Sequence, residues 1–175
     1  MKRLILSIFL MLIFNQCGKR VTPEHKVEFI PPSRETAEKF VLVDSKGEKK
    51  NWVLRAERAN SFDDSVKIYN VTVQFYDSKG EYYSTLTSDS GVVYSINGNM
   101  SATSNVQVIS KDSTVLRTGY LDWNNKNRKI VTEDSVTITK KNSVITGLGM
   151  ESDPNLEHIV IKKNFKAVSR DVKGE

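Results

Sequence analysis

Met100-x-Ala102-x-x-x-Val106-x-Val108 returns ~30 residues later as Ile130-x-Thr132-x-x-x-Val136-x-Ile138 and again as Ile159-x-Ile161-x-x-x-Phe165-x-Ala167. An earlier copy, Val66-x-Ile68-x-x-Val71-x-Val73, is shorter in its centre. Apolar residues at every second position are the mark of a strand with one buried face, because successive side chains point to opposite sides of the pleat. Each copy follows a turn, and another strand-like run leads into that turn, for example Leu121-Asp122-Trp123. Regular two-strand units of this kind predict a stack of antiparallel strands, each unit burying its apolar face against the next. The expected fold is all-β, one slightly bent sheet folded over on itself.

The turns between the runs carry their own chemistry. Asp44-Ser45-Lys46-Gly47-Glu48 recurs as Asp77-Ser78-Lys79-Gly80-Glu81. Asp-x-x-Gly suits a type I turn closed by a left-handed glycine. Further turns are predicted at Asp63-Asp64, Asn97-Gly98-Asn99, 124–127 and Asp153-Pro154-Asn155. Glu35 to Lys39 is read as the start of a helical turn, and nothing longer looks helical.

Composition narrows the function. With 175 residues, 38% hydrophobic and 27% charged, the chain is neither low-complexity nor wholly disordered. A single cysteine excludes an internal disulfide and a cysteine-based zinc site. The two histidines, His25 and His158, are far apart in sequence and leave little material for a hydrolase triad or a histidine metal cluster. Asp44, Asp63, Asp64, Asp77, Asp112 and Asp153 sit in turns, where aspartate is favoured by its bond to the backbone. Gly147-x-Gly149 has no helix after it, so it reads as a bulge or close strand contact rather than a phosphate loop. No catalytic constellation, metal site or cofactor is expected. A net charge of +5 does not require nucleic acid, and an export signal argues against it.

That signal is Met1-Lys2-Arg3 followed by the apolar run Leu4 to Phe14. As a helix the run extends about 16 Å, too short for a hydrocarbon core of about 30 Å but suited to a signal peptide. The only cysteine, Cys17, follows directly, in Phe14-Asn15-Gln16-Cys17-Gly18. This resembles the lipobox of bacterial lipoproteins, with Phe14 where an aliphatic residue is usual and Gln16 where a small one is. Cleavage and acylation at Cys17 are the expectation; plain secretion and an uncleaved signal anchor are the alternatives. The expected organisation is a signal peptide over 1–16, a lipidated N-terminus and tether over 17–36, the β domain over 37–170 and a tail over 171–175.

The order of several segments resembles a known family. Trp52-Val53-Leu54-Arg55-Ala56-Glu57 leads to Ile68-x-x-Val71-x-Val73-x-Phe75-Tyr76-Asp77-x-x-Gly80, then Leu86-Thr87-Ser88-Asp89-Ser90-Gly91 and Asn105-Val106-x-Val108. Leu116-Arg117-Thr118-x-x-Leu121-x-Trp123, Ile130-x-Thr132-x-x-x-Val136 and Ile145-x-Gly147-x-Gly149-Met150 complete the series. It is similar to the LptC family, membrane-attached bridge proteins of lipopolysaccharide export. The resemblance implies an open, twisted, V-shaped β-jellyroll whose apolar interior holds lipopolysaccharide acyl chains. It also implies two partners: the jellyroll domains of the inner-membrane ABC transporter at the N-terminal edge, and an LptA-like periplasmic protein at the C-terminal edge. The chain departs from the enteric members in ending its leader at a cysteine instead of keeping a transmembrane helix. Gly18 also replaces the aspartate that retains lipoproteins at the inner membrane there, which leaves the membrane of the anchor open.

Val71, Val73, Phe75, Val106, Val108, Val136, Ile138 and Phe165 are accordingly expected to line a lipid trough. Trp52, Leu54 and Ala56 are expected on one free edge, and Ile159, Ile161, Phe165 and Ala167 on the other. The lysines Lys140, Lys141, Lys162, Lys163 and Lys166 suit either an edge that blocks unwanted pairing or a rim for lipid phosphates. Period alone does not separate an open trough from a filled core. The second function class is therefore a structural envelope lipoprotein with the same fold and no transport role.

Overall fold

β-Branched and aromatic side chains fit a pleated, half-buried surface, and in the computed structural model, which describes residues 34–169, the alternating runs all become strands. There are nine: β1 (Glu35–Lys46), β2 (Lys49–Ser61), β3 (Ser65–Tyr76), β4 (Tyr82–Tyr94), β5 (Met100–Ser110), β6 (Val115–Asn124), β7 (Lys129–Lys140), β8 (Ser143–Ser152) and β9 (Ile159–Ser169). They pair in sequence order into one sheet, each antiparallel to its neighbours. The ends do not meet, so among the described residues β1 and β9 each have one neighbour. No helix occurs among the described residues.

The sheet covers its own apolar face. Pairing runs Phe75↔Ser84↔Ser110, which leads to the turn before β6. Trp123 stands at the far end of β6, roughly 25 Å away along a flat strand. Yet the Phe75 and Trp123 rings are 5.1 Å apart. Arg128, after β6, likewise donates to Asn51 Oδ1 at 3.0 Å and to the Tyr76 carbonyl at 3.4 Å. Only a sheet bent across its strands brings these groups together. Its two halves then share one core, which includes Leu54, Ile68, Phe75, Val108, Leu116, Leu121, Ile138 and Met150.

The three-residue spacers of the repeat mark the bend. In β5 the burial alternation breaks at 103–105, and in β7 at 133–135. Pairing registers shift at the same places. In the corresponding spacers of β3, β5 and β9, Asn70, Asn105 and Asn164 take left-handed backbone, with φ of 52°, 51° and 53°. Asparagine tolerates that conformation better than most residues. Two of these corners are tied across strands: Asn70 Nδ2 donates to Glu57 Oε2 at 2.6 Å, and Asn105 Nδ2 to Asp89 Oδ2 at 2.7 Å. Gly149 supplies a further left-handed position beside the shift between Thr146 and Leu148. The turns follow their sequence. The Asp77 carboxylate accepts from the N–H of Lys79 and of Glu81, and Gly80 has φ +85°.

Three expectations are corrected. Glu35 to Lys39 is strand, not helical turn, and it opens β1 inside the segment read as tether. Because β1 pairs with β2, Trp52, Leu54 and Ala56 are interior: Leu54 lies between Leu42 and Val73. The alternation in β1 is apolar only over Phe40 to Val43, too brief to stand out beside a proline-rich segment. Phe165, expected in the core, is 62% exposed. Among the described residues no strand lies beyond β9, and from Lys162 onward both of its faces are uncovered, so a repeat that buries Val106 and Val136 leaves its last copy bare. Cys17, the leader, most of the tether and the tail lie outside the described residues.

Candidate functional site

Strand alternation places the inward side chains of β3, β5 and β7 on one apolar surface. Val71, Val73, Phe75, Val106, Val108, Val136 and Ile138 are brought together there, each at most 4% exposed. Their chain neighbours Gln107 and Thr137 are half-buried on the other face. Trp52 and Leu54, displaced from the edge, join the same core. It is well filled. Between the two halves, beside Leu54, Phe75, Met100 and Trp123, the void measures about 20 Å³, room for about one water molecule.

Opposite the bend, the ends of the halves frame a second, polar space of about 940 Å³. Turn residues Lys49, Asp77 and Lys111 line one side; Arg128 and the β8–β9 loop line the other. Tyr83 reaches from its wall to within 6.3 Å of the Phe75 ring, and burial raises the Tyr83 pKa above its ordinary value. Cations and carboxylates are both present, so the rim has no single sign.

The β8–β9 loop, Asp153 to His158, ends the core at this mouth. Period two continues through it: Ser152, Pro154 and Leu156 are buried, and Leu156 belongs to the core at 1% exposure. Asp153 holds the loop. Its carboxylate accepts from the N–H of Glu157 at 3.0 Å and of His158 at 3.2 Å, and pairs with His158 Nδ1 at 2.9 Å. Burial works to raise the Asp153 pKa, but these bonds outweigh it and hold the carboxyl below 3.8. In the sequence, 153–155 reads only as a turn. Its missed signal was the apolar Leu156 standing in phase with Met150 and Ser152.

The free strands expose apolar side chains as well. β1 carries Val41 and Val43 at 53% and 48% exposure; β9 carries Val160, Phe165 and Val168, all above 60%. Ile159 and Ile161 are half-buried, packing against the core, and Ala167 is exposed. The lysines do not form one cluster. Lys140 pairs with Asp112 at 3.4 Å and Lys162 with Glu133, while Lys163 and Lys166 stand exposed on β9. His158 is a surface residue engaged by Asp153. Among the described residues no helix is long and apolar enough to cross a membrane.

An unclosed antiparallel sheet, bent around a one-sided apolar core and ending in two strands paired on one side only, is an open β-jellyroll. The family model for LptC-related lipopolysaccharide-assembly proteins matches residues 31–170, and the chain belongs to the LptC family. Membership gives it a role in lipopolysaccharide export at the bacterial envelope, in a family of transport proteins rather than enzymes. No curated protein matches the chain.

Proposed function

We propose that the protein is a periplasmic bridge. It accepts the acyl chains of lipopolysaccharide from the inner-membrane ABC transporter and passes them to an LptA-like jellyroll. The observation that carries this reading is the pair of free strands flanking one continuous apolar face. A partner strand added at β1 or β9 gains backbone hydrogen bonds, and its own apolar face then continues the core. Phe40 and Leu42 carry the core-facing side of β1, and Phe165 and Ala167 stand in the core phase of β9; Val41, Val43 and Val168 add exposed apolar side chains on the opposite face. The transporter's jellyroll domains are assigned to β1 and the LptA-like protein to β9. Acyl chains on Cys17 anchor the chain, since each buried methylene contributes about 0.8 kcal/mol and two or three chains make a durable attachment.

Photo-crosslinkers at Val108 and Ile138 test the reading in cells. They are expected to capture lipopolysaccharide, whereas crosslinkers at Gln107 and Thr137, on the opposite face, are not. Equal capture from both faces, or none from either, overturns it. Labelled palmitate is expected in the wild type and absent from Cys17→Ser; a purified membrane form still beginning at Met1 refutes the lipid anchor.

The filled core supports a second reading, a structural envelope lipoprotein without transport. A void of about 20 Å³ holds no acyl chain. Native mass spectrometry after membrane extraction separates the two, since only the bridge co-purifies with lipopolysaccharide.

A further inference from the structure

The bridge reading requires a closed core to open, and the construction of the core indicates where. Among the described residues, twenty-one of the twenty-two residues that form it lie on strands; Leu156 alone lies on a loop. Moving any of the others outward disturbs a ladder paired on at least one side. Withdrawing Leu156 breaks no ladder bond. It releases the 3.1 Å bond from its own N–H to the Asp153 carbonyl and the bonds to the Asp153 carboxylate, all within a six-residue segment. Leu156 also has φ +58°, a backbone region that a bulky L-residue rarely occupies. That strain is sustained by its burial and by the Asp153 bonds, and withdrawal relieves it. Its neighbours Pro154, Asn155 and Glu157 line the outer 940 Å³ space, while its own side chain belongs to the core. It therefore stands at the boundary between the two.

Resting on that reading, we propose that Leu156 is a built-in occupant of an acyl-chain seat. Acyl chains reach the core by lifting the Asp153–His158 loop and taking the place of the leucine side chain, without parting strands. The leading carbons of a linear hydrocarbon fit the vacated position, because they replace the apolar surface of the four leucine side-chain carbons. The polar space outside gives the sugar end of the molecule a hydrated place.

The test uses the full-length chain and purified lipopolysaccharide. Leu156→Cys and, separately, Met150→Cys are alkylated, with modification read at each position by peptide mass and the wild type controlling for Cys17. Met150 is also fully buried but lies on β8. Both cysteines are expected to react slowly alone. With lipopolysaccharide, position 156 is expected to react at least tenfold faster, and position 150 no faster. In parallel, Leu156→Ala is expected to speed capture by a crosslinker at Val108 severalfold, and Met150→Ala is not. Equal acceleration by both alanine variants means general loosening and overturns the proposal. Capture at Val108 with position 156 still protected also overturns it, leaving the bridge intact. Loss of capture at Val108 in the otherwise unaltered chain removes the bridge reading and the stopper together.

Discussion

Phe75→Ala distinguishes a core that is closed in solution from a trough standing open. Phe75 is fully buried, with Trp123 at 5.1 Å across the bend and Tyr83 at 6.3 Å. Truncating a buried phenylalanine costs about 3–5 kcal/mol through lost transfer energy and the cavity left behind. The aromatic pair accounts for about 0.5–1.5 kcal/mol of that. At about 4 °C per kcal/mol for a domain of this size, the midpoint falls by about 12–20 °C. Urea unfolding, followed by circular dichroism and by fluorescence of the two tryptophans, measures the loss as a lower midpoint at unchanged slope. Phe165→Ala is the control: its exposed ring predicts a change within about 0.5 kcal/mol. If Phe75→Ala costs less than about 1 kcal/mol, the halves do not pack in solution and the reasoning from a filled core fails.

Other outcomes follow from single contacts. A Cβ at Gly91 would overlap the Ser101 carbonyl oxygen on β5, so Gly91→Ala is expected to cost about 1–3 kcal/mol in a thermal melt; an unchanged melt would show that β4 and β5 separate easily. Asp153 has its folded pKa below 3.8, so its contribution is complete above that value and is lost as pH falls through the folded pKa. Stability of the wild type below pH 3.8 is therefore expected to fall more steeply than that of Asp153→Asn, and parallel curves would refute the role of Asp153 in holding the loop. Phe165→Asp is expected to weaken capture of an LptA-like partner without weakening capture of the transporter, and Val43→Asp to do the reverse; pull-downs that lose both partners in either variant reject the assigned polarity.

The repeated alternation was legible because strand side chains have a period of two, and nothing about distant chain segments is needed to see it. It predicted an all-β antiparallel sheet, the turns at Gly47 and Gly80, and the inward residues of β3, β5 and β7. Even the bend was written as a three-residue gap in each later repeat, filled by asparagine at Asn105 and Asn164. Position in the sheet was not legible. Burial of Val106 and exposure of Phe165 come from the same pattern, and the difference is whether another layer covers the strand. The edge status of Trp52 turned on a partner, β1, whose own alternation is brief. Whether the trough is filled depends on how two faces of one sheet meet, as Phe75 meets Trp123, and on a loop that carries Leu156 back inside. These are contacts between residues far apart along the chain. Local side-chain direction fixes which face a residue joins, but only tertiary packing decides what covers that face.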